Sequence, residues 1–163
     1  MFLSTILRKE KYRFNYTRKM GTARLKKSQI KLPATSEGKP DWQFMENYVE
    51  DVMKKVKPPS KEPILNEKIK LDVSKWKTFT VSDLFKITSS NDPLVSELDL
   101  GSTPYIASTE SNNGVIQYVN LSPTNPRNVL TLNRGGSVGE VFYQNQPFLA
   151  TPVDVRILIP KLN

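Results

Sequence analysis

Six short runs of β-branched and aromatic residues fill the second half of the chain, each closed by a turn signal. They are KTFTV, TPYIAS, GVIQYV, NVLTL, EVFYQ and VDVRILI, all within residues 76–163. Runs this short and this often interrupted predict a mostly β domain. Asn113-Gly114, between YIAS and VIQYV, is a hairpin signal, because a type I′ turn needs positive φ at both central residues. VSDLF predicts one helical turn.

The first half reads differently. In PDWQFMENYVEDVMKKV, Trp42, Met45, Tyr48, Val49, Val52, Met53 and Val56 recur at spacings of three and four. That stripe predicts an amphipathic helix over about 41–56, with Asp41 as N-cap and Lys57-Pro58-Pro59 as the stop. Its apolar face packs on its own domain, on a partner or on a second copy. Residues 58–75 read as a charged, proline-bearing linker. Near the start, Phe2, Leu3, Ile6 and Leu7 form a short helical stripe, and QIKLP reads as an extended exit because Pro33 biases Leu32 away from helix.

Charge divides the chain in the same way. Residues 1–33 hold ten Lys and Arg side chains against Glu10 alone, so the net charge of +8 sits in the first fifth of the chain. Such an asymmetry points to an anionic partner, or to a solvated basic face with no partner. In MFLSTILRKEKYRF the charges follow a few apolar residues, the reverse of a secretory signal, and no apolar run is long enough to span a bilayer. No membrane association is expected on that ground.

Composition also narrows the chemistry. The chain has no cysteine and no histidine. Disulfides, thiolate zinc sites, a Cys nucleophile and a Ser-His-Asp triad are therefore excluded. No metal site, cofactor or catalytic residue is expected. TLNRGGSVGEVFYQ suggests a phosphate loop at first sight. A P-loop, however, needs Gly-Lys-Ser/Thr, whereas Gly139 is followed by Glu140. A dinucleotide fingerprint needs a helix after its glycines, whereas EVFYQ reads as a strand. The stretch predicts a hairpin corner turned by Gly135 and Gly136. A PD-(D/E)xK nuclease site also fails, because Glu37-Gly38-Lys39 precedes Pro40-Asp41. NDPL at 91–94 lacks the second proline and the aromatic of an amino-methyltransferase motif.

The pattern that remains is that of nucleic-acid binding. RKEKYRFNYTRK interleaves Tyr12, Phe14 and Tyr16 with basic residues, and Arg8, Lys11, Arg13 and Arg18 are candidate phosphate contacts. Polar side chains on ASTESNNG and LNRGG suit base edges, with Ser111, Asn112, Asn113, Arg134 and Ser137 as candidates. The same residues are also ordinary turn formers. Two other classes stay open: a basic peripheral membrane or general RNA-binding protein, and a non-catalytic β-rich ligand-binding module.

Taken in order, the segments resemble the DNA-specificity subunits of type I restriction-modification systems. WKTFTVSDLFKI resembles that family's domain start. TPYIASTESNNGVIQYV, NVLTLNRGGSVGEVFYQNQPFLAT and VRILIP resemble its central signature, and RLKKSQIKLPATSEGKPDWQFMENYVEDV the close of one recognition domain and entry into the spacer helix. The resemblance implies an α+β fold: a mostly β target-recognition domain, one conserved amphipathic spacer helix and a basic N-terminal segment. It implies a cytoplasmic, non-catalytic subunit that binds double-stranded DNA at a split site. Its partners would be methyltransferase subunits, which use S-adenosylmethionine, and a motor-nuclease subunit. Residues 1–33 would be the tail of one recognition domain, 34–57 the turn and spacer helix, 58–75 a linker, and 76–163 the front of a second domain. Trp42, Met45, Val49, Val52 and Val56 would pack the helix within the chain, on a partner or in a homodimer. This order is nearly one repeat cut inside a domain. A partial or truncated copy is therefore expected, with 1–33 packing on 76–163 as in a circular permutation.

Overall fold

A computed structural model describes residues 2–14, 19–55 and 72–161. The fold is α+β and mostly β. The described helices are α1 (Phe2–Lys9), α2 (Thr22–Lys27), α3 (Trp42–Lys55) and α4 (Val81–Leu84). The described strands are β1 (Gln29–Leu32), β2 (Lys77–Thr80), β3 (Phe85–Thr88), β4 (Leu100–Ile106), β5 (Val115–Val119), β6 (Val129–Asn133), β7 (Val141–Gln144), β8 (Leu149–Ala150) and β9 (Val155–Pro160).

The chain divides into two compact units. The larger contains Leu3–Ile30 and Thr80–Asn163, and the smaller contains Phe2 and Lys31–Phe79. In the larger unit a four-stranded sheet runs in the order β3-β9-β6-β7, and a three-stranded sheet in the order β5-β4-β8. The four-stranded sheet is antiparallel throughout, whereas β4 and β8 pair in parallel. Ile106 and Ala150 from the smaller sheet join Val129, Val155, Ile157 and the loop residue Phe148 in one buried cluster, so the core lies between the sheets. Burying one such side chain contributes about 1.5–3 kcal/mol.

β6 shows what this arrangement demands of sequence. All five of its residues are buried, Thr131 and Asn133 included. A central strand covered on both faces must find partners for its polar side chains. Thr131 Oγ1 accepts from Gln144 Nε2 at 2.9 Å, and Asn133 Nδ2 donates to the Thr109 carbonyl at 2.8 Å.

The N-terminal segment is built into the same unit. Leu7, Met20 and Leu25 are buried, Leu25 completely. The backbone N–H of Val81 donates to the Ser28 carbonyl at 2.8 Å. Arg156 Nε, on β9, donates to Thr22 Oγ1 at 2.9 Å. The described residues of Leu3–Ile30 thus share one unit with Thr80–Asn163, whereas Lys31–Phe79, which holds the end of the expected 1–33 segment and the start of 76–163, falls in the other.

In the smaller unit α3 starts as its sequence predicts. Asp41 Oδ1 accepts from the backbone N–H of Phe44 at 2.9 Å, an N-cap bond to the third residue of the helix. Phe2, Tyr48 and Trp76 meet with ring centroids 5.7 and 5.8 Å apart. Met45 is the one fully buried residue of α3, while Phe44 and Met53 are exposed. Trp42, Val49 and Val52 are half-buried, and Val56 lies outside the described residues.

Candidate nucleic-acid interface

Two loops of the larger unit meet at one end of the sheets. The first, residues 107–114, connects β4 to β5 and is longer than the two-residue turn that Asn-Gly suggests. Its backbone reverses only at the end, where Asn112, Asn113 and Gly114 take φ of 50°, 54° and 82° in succession. Asparagine tolerates the left-handed region better than most residues, which is why this pair stands here. The Ala107 N–H donates to the Gly114 carbonyl at 2.9 Å and closes the loop.

The second loop is the glycine corner, residues 134–140, between β6 and β7. Asn133 N–H donates to the Glu140 carbonyl, and Gly139 N–H donates back to the Asn133 carbonyl, both at 2.9 Å. The corner is a hairpin turn, as expected, but its left-handed residues are Gly136 and Gly139, with φ of 53° and 84°. A Cβ on Gly136 would sit 2.7 Å from the Ser108 carbonyl oxygen, so the close approach of the two loops requires glycine there.

Polar bonds lock the loops together. Ser108 Oγ donates to the Gly135 carbonyl, and Asn133 Nδ2 to the Thr109 carbonyl. Gln144 Nε2 donates to the Asn113 carbonyl at 3.0 Å, and Asn113 Nδ2 donates to the Tyr143 carbonyl at 3.2 Å. Ser111, Asn112, Asn113, Arg134 and Ser137, which the sequence singles out, are therefore brought onto one surface. They are not equivalent. Asn112 Nδ2 donates to the Val115 carbonyl at 2.9 Å, so both asparagine amides are already engaged, one at the loop's end and one on β7. Ser111 is exposed, Arg134 and Ser137 half-buried.

The basic segment reaches the same corner. Glu140 is buried, and its carboxylate holds Arg8 Nε at 2.7 Å on one oxygen and Lys11 Nζ on the other. Arg8 also lies over the Phe142 ring, 5.9 Å from its centroid. The side chains of Arg8 and Lys11 stay 52% and 45% exposed, so one face of each cation remains open to solvent beside the corner. Arg13 pairs with Glu10 at 2.8 Å and donates to the Tyr12 hydroxyl at 3.1 Å, which raises its pKa further. Arg18 lies outside the described residues.

Glu140 is the residue whose role sequence reasoning misjudged. As a neighbour of the glycines it reads as repelling phosphate, whereas its charge is absorbed by two cations from the far end of the chain. Asp154 and Arg156 were missed. The available signal was an acidic and a basic residue inside the apolar run VDVRILI. Arg156 is 6% exposed and gives its protons to neutral acceptors: Thr22 Oγ1 and the carbonyls of Pro152, Val153 and Val155. Burial draws its pKa down, the nearby charge of Arg134 adds to that, and Asp154 opposes it.

Comparison with known proteins gives this surface a class. Residues 73–163 match the family described as type I restriction modification DNA specificity domain, and the chain belongs to that family. It is also similar to the protein titled Type II restriction enzyme BgcI specificity subunit S.BcgI from Heyndrickxia coagulans. The two are 29% identical over 150 residues, covering 88% of this chain and 43% of that protein. The chain thus spans less than half the length of this relative. A crystal structure of a type I restriction-modification S subunit from M. genitalium aligns over 52% of this chain and 22% of its own, at 23% identity and a TM-score of 0.41. The chain therefore carries a specificity-subunit domain of restriction-modification systems.

Proposed function

We propose that the larger unit reads one half of a split site in double-stranded DNA and that the chain directs methyltransferase and nuclease subunits to that site without doing chemistry itself. The observation that carries this reading is the convergence of loop 107–114, corner 134–140 and the basic stretch 8–13 on one surface of a specificity domain. Cations such as Arg8, Lys11 and Arg13 suit phosphates and fix position, while the polar loop side chains suit base edges. Ser111 and Ser137 are the best placed to reach a base, because the amides of Asn112 and Asn113 are committed to Val115 and to β7.

In this reading residues 1–33 are the closing segment of a recognition domain and 76–163 its opening segment. The joining of Leu3–Ile30 with Thr80–Asn163 in one unit supports it. The helix at 41–56 would dock a methyltransferase subunit, and exposed Phe44 and Met53 are suitable contacts. A homodimer through the same helix is the competing arrangement.

The test is co-expression with candidate methyltransferase subunits, followed by purification and genome-wide mapping of methylated adenines. Co-purification and one methylated split motif are expected. Absence of both, together with salt-insensitive duplex binding, would overturn the reading.

A further inference from the structure

Arg8 is held more firmly than a cation meant only for phosphate needs to be. It lies in the last turn of α1, and Lys11 follows on the short helical turn Glu10–Arg13. Both are tied to the Glu140 carboxylate, and the segment lies close against the corner. A Cβ on Gly139 would sit 3.1 Å from Lys11 Cα, so a bare glycine makes room for it. Arg8 has a second support in Phe142, whose ring it covers. Phe142 in turn borders loop 107–114, where a Cβ on Gly114 would lie 3.5 Å from Phe142 Cδ2. The guanidinium therefore sits beside both the corner and the loop that carries Ser111.

The short contact of Arg8 with Glu140, 2.7 Å, is made by Nε, so the terminal nitrogens extend past the carboxylate. The carboxylate is buried while the arginine side chain is 52% exposed, so the surface that solvent reaches lies away from Glu140. Charge then separates two uses of that surface. One carboxylate serves two cations, which leaves the trio with a single excess positive charge. A phosphate brought to Arg8 would be drawn by the guanidinium and repelled by the carboxylate behind it. The O6 and N7 atoms of guanine are neutral acceptors and feel little of that repulsion. They demand instead a planar fork pointing in a fixed direction. The carboxylate fixes Nε and the ring fixes the plane, and together they supply that direction.

We propose that Arg8 reads a guanine in the major groove, its terminal nitrogens donating to O6 and N7, and that Glu140 and Phe142 are the positioning residues that aim it. Lys11 and Arg13 remain for the phosphates. The proposal rests on the DNA-recognition reading and deepens it.

The test uses the full chain with Arg8→Lys and Glu140→Gln, each first checked for a cooperative melting transition. Parent and variants select duplexes from a random pool, and affinity for the parent motif is then measured across a salt series. R8K keeps the charge and loses the fork. It is expected to lose the preference for guanine at one motif position, bind the parent motif about tenfold more weakly and keep the parent's salt slope. E140Q is expected to weaken the same preference while binding random duplex more tightly at low salt. A role in folding alone would lower affinity for every sequence alike. Replacing that guanine by 7-deazaguanine, which lacks N7, is expected to weaken the parent and leave R8K unchanged. A parent motif without guanine, or one that R8K enriches unaltered, would overturn the proposal. An E140Q motif identical to the parent's would overturn the positioning role of Glu140. If the parent enriches no motif at all, the recognition reading itself fails and takes this assignment with it.

Discussion

The glycine corner and helix α3 are both plain in the sequence, yet they are held in opposite ways. At the corner polar bonds tie separate stretches of chain together. Asn133 and Gln144 bind a neighbouring loop, Ser108 binds Gly135, and Glu140 takes two cations. In α3 only Met45 is fully buried, and Phe44 and Met53 face solvent. The corner's side chains are tied down by their own chain, whereas α3 leaves apolar side chains exposed.

The contrast breaks most easily at the hydrophobic contacts beneath the corner's unit. Leu25→Ala should cost about 2–5 kcal/mol in urea denaturation, because its side chain is wholly buried. A loss near zero would show that the N-terminal segment is not part of that core. Asp92→Ala comes next. Its buried carboxylate accepts from the hydroxyls of Ser90 and Thr124, from Asn125 Nδ2 and from the Ala150 N–H. Stranding these donors should cost about 2–4 kcal/mol, and Asp92→Asn should recover part of it.

Smaller effects test the surface itself. Glu140→Gln should cost about 1 kcal/mol, because the two half-exposed cations rehydrate once released. The same variant should bind random-sequence duplex more tightly at low salt, and an unchanged affinity would mean that Arg8 and Lys11 do not face DNA. Asp41→Ala removes the α3 cap and should cost about 1 kcal/mol, seen as faster amide exchange in its first turn. Met53→Lys should change stability by less than about 0.5 kcal/mol. It should still weaken co-purification with a methyltransferase subunit if α3 docks one.

Much of this architecture was legible where a period could repeat. α3 carries four turns of stripe and a cap, and β6, β7 and β9 carry apolar runs bounded by turns. The elements that escaped are short. α2 has Leu25 as its one buried residue, so no stripe can form, and β8 is two residues between Pro147 and Pro152. β3 follows α4 without a break, so a single apolar run hides two elements. The site was legible as residue types but not as contacts. Nothing local to Glu140 announces that its partners are Arg8 and Lys11, and nothing local to Asn113 shows that its amide bonds the Tyr143 carbonyl on β7. Such facts live in tertiary pairing, which composition and spacing do not encode.

The bond between Lys11 and Glu140 spans 129 positions of sequence. During synthesis the basic segment emerges long before the strand pair that will hold it. At about 5–20 residues per second the wait is on the order of ten seconds. For that time Arg8 and Lys11 lack the carboxylate that later holds them, and the basic first fifth of the chain is open to any polyanion near the ribosome. The order of synthesis therefore sets a kinetic contest: the larger unit closes only if its β core forms before the leading segment is captured elsewhere.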